Sequence, residues 1–142
     1  MAEPGLRPDR GMLDTSTVIL LGRLSEPQEL PDDCVVSAVT VAELSVGPLV
    51  ADTDEEREAR QAHLQQAESD FDTISFDRSA AREFAAVAAS LRRSGRKSNA
   101  RAYDALIAAS AIAEGLPLYT CNPDDFEGIE RLDLRPVRHP DG

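Results

Sequence analysis

Short apolar runs, each leading into a stretch with helical character, recur along this 142-residue chain and restrict its folds more than any other feature. Met12 to Asp14 reads as a short strand entering a turn, and Ser16 to Leu24 as a short apolar helix. After a loop bracketed by Pro27 and Pro31, Cys34 to Ser37 has the continuous apolar character of a buried strand. Thr40 to Leu49 then turns helical until Gly47-Pro48 breaks it. Asp54 to Phe71 follows as a polar helix and Thr73 to Phe76 as a third strand. Arg78 to Arg93 carries Phe84, Val87, Ala88 and Leu91 at helical spacing. A polar, basic loop from Gly95 to Ala100 leads to an Ala-rich helix, Tyr103 to Glu114, that Gly115 closes. Strands at Pro117 to Thr120 and near Leu132 to Val137 complete the series. Five strands interleaved with helices predict an α/β fold built on a mostly parallel sheet. The length suits a single domain with one core. Residues 1–11 contain no apolar run and are expected to form a flexible N-terminal extension, leaving 12–142 as the folded domain.

Charge and cysteines narrow the function. Twenty-six acidic residues against fifteen basic ones give a formal charge of -11, which opposes long-range attraction to nucleic acid or to an anionic membrane. Uncharged stretches such as Cys34 to Ala42 and Ala105 to Ala113 are far short of the roughly 20 residues a membrane helix needs. Neither a membrane span nor a secretory signal is read, so the expected location is cytoplasmic. Cys34 and Cys121 have no CxxC spacing and no histidine cluster, and are expected to be buried free thiols.

In a parallel sheet, ligands bind beyond the carboxyl ends of the strands, so the informative residues are those where strands run into helices. Asp14 follows the first strand, Glu43 lies one turn into the helix after the second, Asp104 opens the Ala-rich helix, and Asp124 and Asp125 follow the fourth strand. Each has a purely structural explanation. Asp14 suits an N-cap, Thr40-Val-Ala-Glu43 matches a capping box, and first-turn acids complement the helix dipole. Taken together they say more, because parallel topology gathers these junctions on one edge. Carboxylates within about 4 to 6 Å repel each other unless a cation lies between them. An all-oxygen set selects Mg²⁺ or Mn²⁺, and such ions serve in-line attack of water on a phosphodiester. The residues alone therefore suggest a metal-dependent phosphoryl-transfer site.

Leu13-Asp14-Thr15-Ser16, Ser37-Ala-Val-Thr40-Val-Ala-Glu43-Leu44, Asp104-Ala-Leu-Ile-Ala-Ala-Ser110-Ala and Leu118-Tyr-Thr120-Cys-Asn122-Pro-Asp-Asp125-Phe126 resemble the ordered motifs of PIN-domain ribonucleases, nearest to the VapC toxins of bacterial toxin-antitoxin pairs. The resemblance spans about Met12 to Val137. It implies a three-layer α/β/α PIN-like fold and Mg²⁺- or Mn²⁺-dependent cleavage of RNA. It also implies a homodimer and a small antitoxin whose C-terminal segment lies in the active-site groove. By the same resemblance Asp14 and Asp104 match the principal metal ligands, and Glu43 the acid that completes the metal site or positions water. Ser16 and Thr120 match the hydroxyls that support them. The chain departs from the family at Asn122, where many relatives carry Asp. Asp125 is then expected as the fourth acid, with Asn122 behind it.

Five basic residues, Arg92, Arg93, Arg96, Lys97 and Arg101, immediately precede Asp104 and form a candidate contact for RNA phosphates. Their structural alternative is a helix C-terminus, where cations meet the dipole. Tyr103 is the one aromatic beside the site, and core packing is its expected role. With stacking platforms scarce, structured RNA is the expected substrate. Two other classes compete. A PIN-like binding module weakened at Asn122 would act only through its partners. A phospho-receiver domain needs a lysine near its last strand, whereas the sole lysine is Lys97.

Overall fold

The computed structural model describes residues 10–95 and 102–142. Strands β1 (Arg10–Leu13), β2 (Asp33–Ser37), β3 (Asp72–Ile74), β4 (Leu118–Thr120) and β5 (Leu134–Pro136) form one sheet in the order β3-β2-β1-β4-β5. Every neighbouring pair is parallel, so the sheet is wholly rather than mostly parallel. The chain builds β2 and β3 outward from one side of β1, then crosses back to place β4 on the other side. The strand order thus reverses between β1 and β4, and the crevice at such a reversal is where open parallel sheets bind ligands. A receiver-type sheet has the order 2-1-3-4-5, so the phospho-receiver alternative is excluded.

Side chains alternate across the strands, and adjacent residues feed different cores. Met12, Val35 and Leu118 face α5 (Ala102–Glu114) and pack with Ile107, Ala108 and Ala111. Their neighbours Leu13, Val36 and Tyr119 face the other way, onto Val18 of α1 (Thr15–Leu20), Leu44 of α2 (Ala38–Leu49) and Ala67 of α3 (Asp54–Asp70). On the outer side, α4 (Arg78–Arg93) packs Val87 and Leu91 against Ala105 and Ala109 of α5. Both sheet faces are covered, which is why the strands read as apolar runs and not as alternating patterns. The small side chains of α5 let it lie against the sheet and α4 at once. Gly11 has a comparable role in β1: a Cβ there would lie 2.5 Å from the Tyr119 ring.

The boundaries depart from the sequence reading in instructive ways. Arg10 and Gly11 pair with Asp33 and Cys34, so the sheet includes two residues assigned to the extension. Helix α2 starts at Ala38 with Ser37 as its N-cap, the Ser37 hydroxyl accepting from the Val39 N–H at 3.0 Å. Thr40 is consequently inside the helix, and the capping box read at Thr40 and Glu43 does not exist. Pro48 falls in the last turn and does not end the helix early. Both cysteines are free, Cys121 buried and Cys34 half-buried. Burial, with Asp33 and Asp32 nearby, pushes the Cys34 thiol up to about 11, well away from a reactive thiolate. No helix among the described residues is long and apolar enough to cross a membrane.

Candidate active site

The strand reversal places the residue after β1 beside the residues that end β4. Asp14 is the N-cap of α1: its carboxylate accepts from the Thr17 N–H at 3.2 Å, as an Asp between a strand and a helix should. Capping uses only part of it. The Ser16 hydroxyl donates to Oδ2 at 2.8 Å, and the Thr120 hydroxyl, 106 positions along the chain, donates to the same oxygen at 3.0 Å. The Thr17 hydroxyl donates to Oδ1 while accepting from the Cys121 N–H at 3.0 Å. Asp14 is only 2% exposed. Burial raises its pKa, and the bonds from Thr17, Ser16 and Thr120 counter part of that rise. A carboxylate so enclosed by donors is held in one orientation at the mouth of the β1/β4 crevice.

Glu43 reaches this edge from the second turn of α2. The Thr15 hydroxyl lies 2.5 Å from Glu43 Oε1 and 3.0 Å from the Thr40 hydroxyl. The first three residues after Asp14 therefore divide their work, Ser16 and Thr17 serving Asp14 and Thr15 serving Glu43. Burial raises the pKa of Glu43, the bond from Thr15 lowers it, and the nearby Asp14 raises it again. Glu43 thus feels the negative charge of Asp14, a repulsion that a cation between them would relieve.

Asn122 donates from Nδ2 to the Ser16 hydroxyl at 2.9 Å, and its backbone N–H donates to the Thr120 hydroxyl at 2.9 Å. Asn122 therefore buttresses the hydroxyls around Asp14. Asp104 is half-buried in the first turn of α5, and Asp125 is half-buried in a single 3-10 turn, Pro123–Phe126, beyond β4, with Asp124 exposed beside it. Among the described residues no three His, Cys, Asp or Glu side chains are grouped closely enough to hold a metal by themselves. The structure thus links Asp14 to Ser16, Thr120 and Asn122 by hydrogen bonds and to Glu43 by charge, and sets Asp104 and Asp125 at the start of α5 and beyond β4.

Of the basic cluster, Arg92 and Arg93 occupy the last turn of α4, where cations complement the dipole, and Arg93 pairs with Glu130 at 3.0 Å on the surface. Arg96, Lys97 and Arg101 lie outside the described residues. Tyr103, in the first turn of α5, is 56% exposed, so the expectation of core packing is corrected. Thr15, Thr17 and Thr40 were missed in the sequence. Their only signal was the hydroxyl run Thr15-Ser16-Thr17 behind Asp14, which reads equally well as a helix start.

A wholly parallel sheet covered by helices on both faces, with a buried acid at its switch point, defines an α/β protein with a candidate site at that edge, and comparison makes its class specific. Residues 12–132 match the PIN domain, and the chain belongs to that family. Within it the chain is of the VapC type: it is 38% identical over 125 residues to Ribonuclease VapC5 of Mycobacterium tuberculosis (strain ATCC 25618 / H37Rv), covering 87% of this chain and 90% of that protein. It is similar to the crystal structure of VapBC-5, a member of the VapBC family of toxin-antitoxin systems from Mycobacterium tuberculosis, with a TM-score of 0.78 and 35% identity over 92% of this chain and 100% of the other. The fold is also that of VapBC2 from Rickettsia felis bound to a DNA fragment from their promoter, with a TM-score of 0.71 at 24% identity over 88% of this chain and 96% of the other.

Proposed function

We propose that this chain is an endoribonuclease that hydrolyses RNA phosphodiester bonds with Mg²⁺ or Mn²⁺, acting in the cytoplasm as the toxin of a toxin-antitoxin pair. The observation that carries the reading is Asp14, a buried carboxylate oriented by three hydroxyls at the sheet's switch point and in electrostatic contact with Glu43, in a chain 38% identical to a VapC ribonuclease. The donors fit a hydrated Mg²⁺-type ion, which keeps several waters and takes only one or two protein carboxylates, better than a dry tetrahedral Zn²⁺ site. Asp14 and Asp104 would hold the ion, with Glu43 and Asp125 completing the acidic edge. When bound, such an ion lowers the pKa of the attacking water and stabilises charge on the departing oxygen.

The chain's own residues do the rest. Ser16, Thr17 and Thr120 fix the direction of the Asp14 carboxylate and counter part of the rise in pKa that its burial causes. Thr15 fixes Glu43, so that its other oxygen can orient a water toward the scissile phosphate. Asn122, being neutral, supports this arrangement through Ser16 without adding charge that would repel the substrate. The partner would be a small antitoxin, since the chain's structural relatives are VapBC complexes. Two copies would form the working unit, at twice the chain's 15.4 kDa.

Purified protein should cut structured RNA in Mg²⁺ or Mn²⁺ and stop in EDTA, and co-expression with its antitoxin should abolish cutting. Activity that persists in the chelator would overturn the metal reading.

A further inference from the structure

Beside Glu43, a cavity of about 200 Å³ opens between α1, α2 and α3. Thr15 and Glu43 form its rim, so it is continuous with the acidic edge. Ile19 and Leu44 supply apolar walls, and Arg60 and His63 enter from α3, three positions apart and therefore on one helix face. We propose that this cavity receives the nucleobase of a nucleotide adjoining the scissile phosphate, with Arg60 and His63 reading it.

Three features support this assignment. Helix α3 has a strongly acidic sequence, yet the side chains it contributes to the cavity lining are a guanidinium, Arg60, and an imidazole, His63. Arg60 is held in place: it donates to the Gly47 carbonyl at 3.0 Å and to Glu56 at 3.3 Å, and its stem lies across Gly47, where a Cβ would stand 3.2 Å from Cδ. Glycine is unfavourable inside a helix, and here it makes room for the stem of that arginine. The lining also suits a base better than a phosphate. Apolar walls, a flat cation and an aromatic ring bind planar heterocycles by stacking and edge hydrogen bonds, whereas the Glu43 carboxylate repels an anion. The volume is below the roughly 300–1,000 Å³ of drug-sized sites and matches a single small ring system. A base can enter only if unpaired, so this inference, which builds on the ribonuclease reading, names a loop, bulge or single strand as the element cleaved.

The test separates binding from cutting. Short RNAs carrying each of the four bases, or an abasic nucleotide, at every position are titrated by fluorescence anisotropy against the Asp14→Asn protein. Base choice at one position should change affinity by about tenfold, the scale of one good base contact. Adding His63→Ala or Arg60→Gln should shrink that preference below about twofold while leaving the affinity for the abasic RNA unaltered. His63→Phe, which keeps a stacking ring, should retain part of it. If Arg60→Gln proves less stable through loss of its bond to Gly47, the two His63 variants decide the matter. A parent without base preference, or variants that keep it, overturns the pocket, as do variants that loosen only antitoxin binding. A protein that discriminates bases but cuts no RNA overturns the ribonuclease reading and leaves the pocket standing.

Discussion

Asp14 and Asp77 begin as the same residue in the same local setting. Each follows a strand in extended conformation, caps the helix ahead of it and accepts a hydrogen bond from the backbone N–H three positions on, at 3.2 Å for Asp14 and 3.0 Å for Asp77. Asp77 serves as that cap with its side chain open to water. Asp14 is buried and takes three further hydroxyl donors, one of them from β4. The difference comes from where their strands stand. β3 is an edge strand, whereas β1 is central and adjoins β4 at the reversal of strand order. A cap is a local event, worth about 1 kcal/mol; a site needs a second strand end beside it.

The comparison is most easily broken by exchanging charge for amide at the two positions. Asp14→Asn should lower RNA cleavage by roughly 10²- to 10⁴-fold, the range for losing one positioned acid or base, while Asp77→Asn leaves it unchanged. Equal losses at both would reduce Asp14 to a cap. Next in size, Thr15→Val should cost about 10- to 100-fold, as the loss of a group that orients a ligand does, and Thr15→Ser should recover most of it. A Thr15→Val protein of full activity would detach Glu43 from the site.

Stability gives a third contrast, measured by thermal melts in EDTA. Asp14 has a folded-state pKa raised above the ordinary aspartate value of about 4. Between those two values the folded protein keeps a proton that the unfolded chain has released, so stability falls as pH rises through that window and the deficit is complete above it. Asn preserves the cap but carries no charge to desolvate. Asp14→Asn should therefore melt higher than the parent at pH 7, with the gain fading as pH drops toward 4. A gain independent of pH would exclude desolvation of Asp14 as its source. Asp77→Ala should lower stability by about 1 kcal/mol at pH 7 and leave cleavage alone. The smallest effect belongs to the basic segment: neutralising Arg96 and Lys97 should reduce the salt slope of RNA binding by about one unit for each phosphate that their charges would otherwise neutralise. An unchanged slope would assign them to ordinary surface.

Much of the fold was legible because parallel strands buried on both faces must be apolar and helices between them must be amphipathic or small. Val35-Val36 and the Ala-rich helix announce themselves for that reason, and the bounds of α4 agree with the spacing of Phe84, Val87 and Leu91. Where the reading slipped, two local signals competed. Ser37 and Thr40 are both good N-caps, and the helix takes the earlier one, the Ser37 hydroxyl accepting from the Val39 N–H. Tyr103 reads as a core aromatic, yet its side chain on the first turn of α5 is open to water.

The acids of the site were visible as residues at strand ends, and the sequence alone determined that they would share one edge, since parallel connections return every strand in the same direction. What it could not determine was which of them would meet. That depends on strand order, which joins Asp14 to Thr120 and Asn122 across more than a hundred residues, and on the start of α2, which swings Glu43 away from a cap and onto Thr15. Periodicity and turn chemistry are local and can be read along the chain. The order of strands and the seating of Arg60 over Gly47 are set by packing between distant segments, and only the assembled structure expresses them.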